Sequence, residues 1–297
     1  MGYLFSSFAL LSGAIKGFCG KKLGNLTKTL QSAVFFNTVR MLICICFGFV
    51  LVLFSGELKF ISFAPDLILI SILSGFSTSL FVISWLMIIQ KSAYILVDVF
   101  LTLGTIVPMC FCRFLFSETI SPRQWIGYFI LLAASLIMCS YNNSINMKLT
   151  ISGIILLIFC GMANGFANLS QKIFVKSCPQ TPTSVFNLYT YVVAAIVLGA
   201  FLIISCLRKG RMPDVPKENT KKGLHFIVIM AIALFLNSYF KTQAATYLDS
   251  AKLYPFNQGA SLIISTLMSA IFFKEKITLK CILGIILAFV ALMIINL

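Results

Sequence analysis

The strongest constraint on this chain is a series of ten apolar runs, near 2–20, 32–54, 66–90, 93–116, 123–141, 150–174, 183–207, 223–247, 251–273 and 278–297. Each is close to the roughly 20 residues that a helix needs to cross the hydrocarbon core of a bilayer. Strands of a membrane barrel would instead alternate polar and apolar residues over about ten positions. These runs do not alternate, so they read as helices. The composition agrees: 60% of the 297 residues are hydrophobic, only 10% are charged, and the mean hydropathy is +1.02. A soluble domain carries about 25% charged residues, and a globule of this size could not hide so much apolar surface. The expected fold class is all-α integral membrane, with about ten transmembrane helices. The first run lacks a basic leader and a cleavage site, so it is expected to stay as the first helix rather than act as a removable signal.

The connections are mostly short, as at 117–122 and 274–277, which makes sequence neighbours antiparallel. The longest polar loop, 208–222, holds Pro213, Pro216 and six basic residues, and an Asn-rich segment at 141–148 separates two halves. The net charge is +15, but the basic residues mostly flank apolar runs. That pattern fits topology and anionic lipid, and it gives no basic stripe with interleaved aromatics for nucleic acid. The ten cysteines are scattered, mostly inside the runs, without metal-ligand spacing. They are expected to pack as small polarisable side chains. With a single histidine, His225, neither a metal cluster nor a catalytic triad is expected. No cofactor is expected either.

An internal repeat divides the chain. From Phe114 the sequence reads FLFSETISPRQWIGYFILLAASLIM, and from Ile271 it reads IFFKEKITLKCILGIILAFVALMII. One constant offset sets Glu118 on Glu275, Ile120 on Ile277, Gly127 on Gly284 and Ala134 on Ala291. Lys16-Gly17-Phe18 and Asn164-Gly165-Phe166 echo each other at the starts of the halves. Because each half has an odd number of spans, the second enters the membrane in the opposite sense. The chain therefore reads as two inverted five-helix repeats, 1–145 and 146–297, a pattern found in secondary transporters.

Ten spans in two fives, with the acidic turn Phe116-Ser117-Glu118-Thr119-Ile120-Ser121 and its second copy Phe273-Lys274-Glu275-Lys276-Ile277-Thr278, resemble the drug/metabolite transporter superfamily, EamA-like branch. In both copies a glycine follows nine residues after the glutamate. The resemblance implies a secondary carrier with a central cavity between the halves, worked by alternating access. Its relatives export amino acids or drugs, or exchange nucleotide sugars and other metabolites. The stretch Phe186-Asn187-x-Tyr189 is partly similar to a motif of nucleotide-sugar carriers.

Ionisable and amide groups at membrane depth mark the candidate site, since a charge there costs about 2.5–3.5 kcal/mol on insertion scales. In the first span Gly13, Lys16, Gly17 and Gly20 share one face, either presenting Lys16 to a ligand or letting it reach the headgroups. In the second, Asn37 and Arg40 share a face, and the guanidinium suits a carboxylate or phosphate or an interfacial anchor. Trp85 of the third span can stack on a solute or pack at the interface. Asp98 of the fourth is the only acid placed well inside a span, and it is the candidate for proton coupling or for an ion pair with a lysine or arginine. Thr102 and Thr105 lie on its face, and Pro108 is expected to kink the helix. Polar stripes on later spans comprise Asn164, Asn168 and Gln171 or Lys172; Asn187; Asn237 and Lys241; and Tyr254, Asn257, Gln258, Ser261 and Ser265. Each stripe could serve helix–helix hydrogen bonds, but together they read as the lining of a cavity. Glu118 and Glu275 are expected to complement the dipoles of the helices that follow them.

The cationic groups outnumber Asp98, which favours an anionic or zwitterionic solute such as an amino acid. The leading expectation is a secondary active exporter of such a solute. It is expected in a bacterial cytoplasmic membrane, surrounded by lipid, with a homodimer open. A nucleotide-sugar or phosphorylated-metabolite exchanger is the alternative within transport. A membrane receptor or assembly subunit and a lipid-modifying enzyme are alternatives of other classes. An enzyme is disfavoured, since one histidine and one buried acid supply little acid–base chemistry.

Overall fold

The computed structural model describes residues 1–23, 29–91, 94–139, 151–209, 217–273 and 278–296. Among these residues every regular element is helical. The first half comprises α1 (Gly2–Leu23), α2 (Leu30–Phe54), α3 (Pro65–Lys91), α4 (Tyr94–Gly104), α5 (Ile106–Phe116) and α6 (Pro122–Cys139). The second comprises α7 (Ile151–Ser177), α8 (Thr183–Lys209), α9 (Lys217–Tyr247), α10 (Ser250–Phe273) and α11 (Leu279–Asn296). A short 3-10 turn, Glu57–Phe60, joins α2 to α3. The pair α4–α5 makes a single broken span, so ten spans result. Eight of them are long and apolar enough to cross a bilayer by length and hydropathy, the other two being α6 and α10. Much of the apolar surface, Leu4, Phe54, Phe114, Ile196 and Phe289 among it, is exposed on the outside of the bundle. That is the expected face of helices solvated by lipid. The boundary expected near residue 145 and the Asn-rich segment fall outside the described residues, as do Glu275 and residues 210–216 of the expected 208–222 loop, whose remainder continues α8 and opens α9.

The packing obeys the exchange of halves. α1 runs along α9, and its counterpart α7 runs along α3. α1 also meets α10, as α7 meets α4; α2 lies on α9, as α8 lies on α3. The self-paired contacts are α2 with α8, α4 with α10, and α6 with α11. The repeat reaches individual atoms at the last of these. A methyl on Gly127 would stand 3.0 Å from the carbonyl oxygen of Ala291, and one on Gly284 would stand 3.2 Å from that of Ala134. The two glycines and two alanines matched in sequence are thus the four residues that let α6 and α11 cross closely.

The break in the fourth span falls at Thr105, three residues before Pro108. Proline has no N–H to bond back one turn, so it sits most easily in a helix's first turn. Restarting the helix at Ile106 places Pro108 there. Close by, α4 and α7 approach through glycine: a side chain on Gly104 would overlap the carbonyl of Gly161, and one on Gly161 would overlap that of Phe100. This contact holds α4, and Asp98 with it, against α7.

Candidate functional site

A cavity with about 50 Å³ open to the centres of water molecules lies inside the bundle. Its wall takes Gly13 and Lys16 from α1, Phe81 and Trp85 from α3, Asp98 and Leu101 from α4, and Asn164 from α7. Asn237 and Lys241 of α9, together with Asn257, Gln258 and Ser261 of α10, complete it. A water needs about 10–15 Å³ by this measure, so the space suits a few waters.

Lys16 is held by aromatic faces. Its Nζ lies 5.3 Å from the ring centroid of Phe81 and 5.5 Å from that of Trp85. Cation–π attraction of this kind stabilises an ammonium without neutralising it. Gly20, one turn further along α1, makes the arrangement fit, since any side chain there would overlap the Trp85 indole. Across the cavity Lys241 Nζ donates to Asn168 Oδ1 at 3.2 Å, and the Tyr254 hydroxyl donates to the Asn168 carbonyl at 2.6 Å. Asn237 Nδ2 donates to the Ala9 carbonyl at 2.6 Å, in space left open by Gly13. Gln258 Nε2 donates to the Asp98 carbonyl at 3.2 Å, tying α10 to α4. The Asp98 carboxyl lies beside the hydroxyls of Ser261 and Ser265, and its Oδ2 has no hydrogen-bond partner. No ion pair joins Asp98 to Lys16 or Lys241 among the described residues. Two lysines therefore face one carboxylate in the cavity wall.

Of the residues singled out in the sequence, Lys16, Trp85, Asp98, Asn164, Asn237, Lys241, Asn257 and Gln258 meet at this one cavity. Asn168 and Tyr254 stand just behind it as supports of Lys241. Asn187 is fully buried and accepts from the Ser238 hydroxyl at 2.8 Å, and Ser238 in turn accepts from Gln171 Nε2 at 3.1 Å. Asn37 donates to the Val82 carbonyl at 3.1 Å, and Arg40 is enclosed by protein; neither lines the cavity wall. Phe81 was not legible in the sequence, being one apolar residue in an apolar run.

Lys172 and Glu118 have a different role from those expected of them. The Nζ–Oε1 distance is 3.1 Å, and both side chains are almost wholly buried. Lys172 also donates to the carbonyls of Ala245 and Leu248, at 3.0 and 2.7 Å, at the end of α9. Glu118 Oε2 accepts from the Ser250 N–H at 2.9 Å, at the start of α10. Its dipole partner is thus α10 rather than the following helix α6. The reason is local: Ser121 and Gln124 already exchange capping bonds at the start of α6. This pair joins the halves on the terminal face, which holds the start of α1 and the end of α11, where Tyr3 donates to Asn296 at 2.6 Å. On the same face Ser184 donates to Glu57.

Fold and site together define an inverted-repeat membrane protein whose halves enclose a polar cavity. The sequence model of the EamA-like transporter family matches residues 151–297, and the chain belongs to that family. It is a membrane transporter of small solutes. A solved crystal structure is similar over 99% of this chain and 95% of its own, with a TM-score of 0.74 and 14% sequence identity. At that identity the likeness bears on the fold alone. No curated protein sequence matches the chain.

Proposed function

We propose that the chain is a secondary carrier that exports a small anionic or zwitterionic solute by alternating access from a bacterial cytoplasmic membrane. The observation that carries this reading is the convergence of Lys16, Lys241 and Asp98, from both halves, on one buried cavity. Two ammonium groups against one carboxylate attract a carboxylate or phosphate, and the amides of Asn164, Asn237, Asn257 and Gln258 fix its orientation. Asp98 serves as the proton-coupling group or as the partner of a substrate ammonium. The packing supports alternating access, since exchange of the halves preserves every principal helix contact, as two facing states of similar construction require.

Reconstitution in proteoliposomes tests the reading. A panel of amino acids, nucleosides, nucleotide sugars and cationic dyes is offered to native protein, Lys16→Ala, Lys241→Ala and Asp98→Asn. Flux of an anionic or zwitterionic solute is expected, falling at least tenfold in each lysine variant. Asp98→Asn is expected to abolish acceleration by a proton gradient. Flux that requires a counter-substrate would instead favour the exchanger. No flux of any solute, or transport of cationic dyes alone, would overturn the proposal.

A further inference from the structure

Arg40 lies near the middle of α2, ten residues into a helix of 25, or about 15 Å from its start. Its side chain is wholly buried, and Nε, Nη1 and Nη2 all lack a hydrogen-bond partner. Asn37, one turn earlier on the same face, keeps an unpartnered Oδ1 while its amide nitrogen is used by Val82. The groups around Arg40 are bonded to other partners. Tyr191 donates to the Leu234 carbonyl at 3.2 Å, and the Cys44 thiol donates to the Ala231 carbonyl at 3.3 Å. The described acids are engaged elsewhere: Glu118 with Lys172, Glu57 with Ser184, and Asp98 beside Ser261 and Ser265. Asp66 and Asp249 stand at helix starts on the terminal face.

A guanidinium stays charged in proteins, and a buried ion without acceptors is among the costliest groups a fold can hold. Lys16 is within electrostatic reach of Arg40, and so is Lys241 of Lys16. Lys16 therefore stands between two other cations, with Asp98 the one carboxylate within its reach. We propose that Arg40 and Lys16 together form an anion site beside the cavity, with the guanidinium fork as its inner anchor. It takes a compact anion, either an inorganic one such as chloride or the carboxylate of the transported solute. The planar fork suits a carboxylate bidentately, and the cationic cluster suits a halide. The site relies on the cavity described above for its entrance, but binding is read without transport, so the two proposals fail separately.

The test is thermal unfolding of the full chain, purified in detergent in a halide-free buffer. Chloride or acetate is titrated against a bulky organosulfonate at equal ionic strength. Native protein is expected to gain a saturable rise, about 5–10 °C at a hundred times Kd. Arg40→Met is expected to lose that rise entirely, and Arg40→Lys to keep a smaller one. If Arg40→Met does not fold, Lys16→Met, at the outer edge of the site, is expected to weaken the apparent affinity at least tenfold. A rise with chloride alone assigns an inorganic anion, and one with acetate alone or with both assigns a carboxylate. Either supports the site. No saturable rise in native protein, a full rise in Arg40→Met, or native affinity in Lys16→Met would overturn it.

Discussion

Breaking the Lys172–Glu118 pair separates what it contributes to stability from what it contributes to closure. Lys172→Met leaves a buried carboxylate with one remaining donor, the Ser250 N–H at 2.9 Å. Loss of one partner from a buried pair costs about 3–5 kcal/mol. Glu118→Gln keeps an acceptor for that N–H and leaves the Lys172 ammonium on its two carbonyls, so it should lie near the low end, about 3 kcal/mol. The double variant holds no uncompensated charge and should lie within about 1 kcal/mol of native, as apolar or neutral replacements of buried pairs often do. The cycle then gives a coupling energy above about 3 kcal/mol. Unfolding in detergent, followed by circular dichroism and scaled with a common unfolding enthalpy, measures all four proteins. Each single variant is expected to melt about 6–15 °C lower and the double close to native. Closure is read separately, by maleimide labelling of Gln171→Cys on a background lacking other cysteines. Position 171 is buried one residue from the pair, and labelling is expected to accelerate severalfold when the pair is broken. Additive single effects, with coupling below about 0.5 kcal/mol, would refute the reasoning that the pair binds the halves together.

Two further outcomes rest on glycines. Gly20→Ala should push the Trp85 indole away from Lys16. On a Trp125→Phe background this appears as a shifted Trp85 emission maximum, and an unshifted spectrum would count against the aromatic clamp. Gly161→Ala should overlap the Phe100 carbonyl and lower stability by several kcal/mol. Gly199→Ala, which meets nothing within 4 Å in α8, should be neutral or gain up to about 1 kcal/mol. Equal melting temperatures for these two variants would contradict the close packing of α4 on α7.

The spans and the charged groups within them were legible because both rest on large free energies: apolar length against bilayer thickness, and the cost of a charge in lipid. That is why Lys16, Asp98 and Lys241 could be picked from sequence and then converge on one cavity. The direction in which a costly group points was not legible. Arg40 and Lys16 are equally conspicuous in sequence, yet one is enclosed among α2, α8 and α9 while the other reaches the cavity wall. Glu118 precedes α6 and was read as its dipole partner, but its ligand is Ser250, 132 residues away. Helical spacing constrains contacts one turn apart and carries no information about partners at that separation. Phe81 shows the complementary limit, since an aromatic ring that holds an ammonium looks like any other lipid-facing phenylalanine until α1 is packed against α3.

The repeat also explains why the scaffold and the charge can follow different rules. Lys16 and Asn164 occupy matched positions in the two halves, on α1 and α7, and both line the cavity. Equivalent positions meet there because the cavity lies where the halves face each other. The backbone contacts respect the exchange, as the Gly127–Ala291 and Gly284–Ala134 crossings do. On the proposed alternating-access reading, symmetric packing by itself favours neither facing state, and a preference would come from side-chain contacts between the halves. The Lys172–Glu118 and Ser184–Glu57 contacts join the halves across the terminal face. Substitutions at those contacts should shift the balance of states and leave the cavity chemistry intact, whereas substitutions at Lys16 or Lys241 should do the reverse.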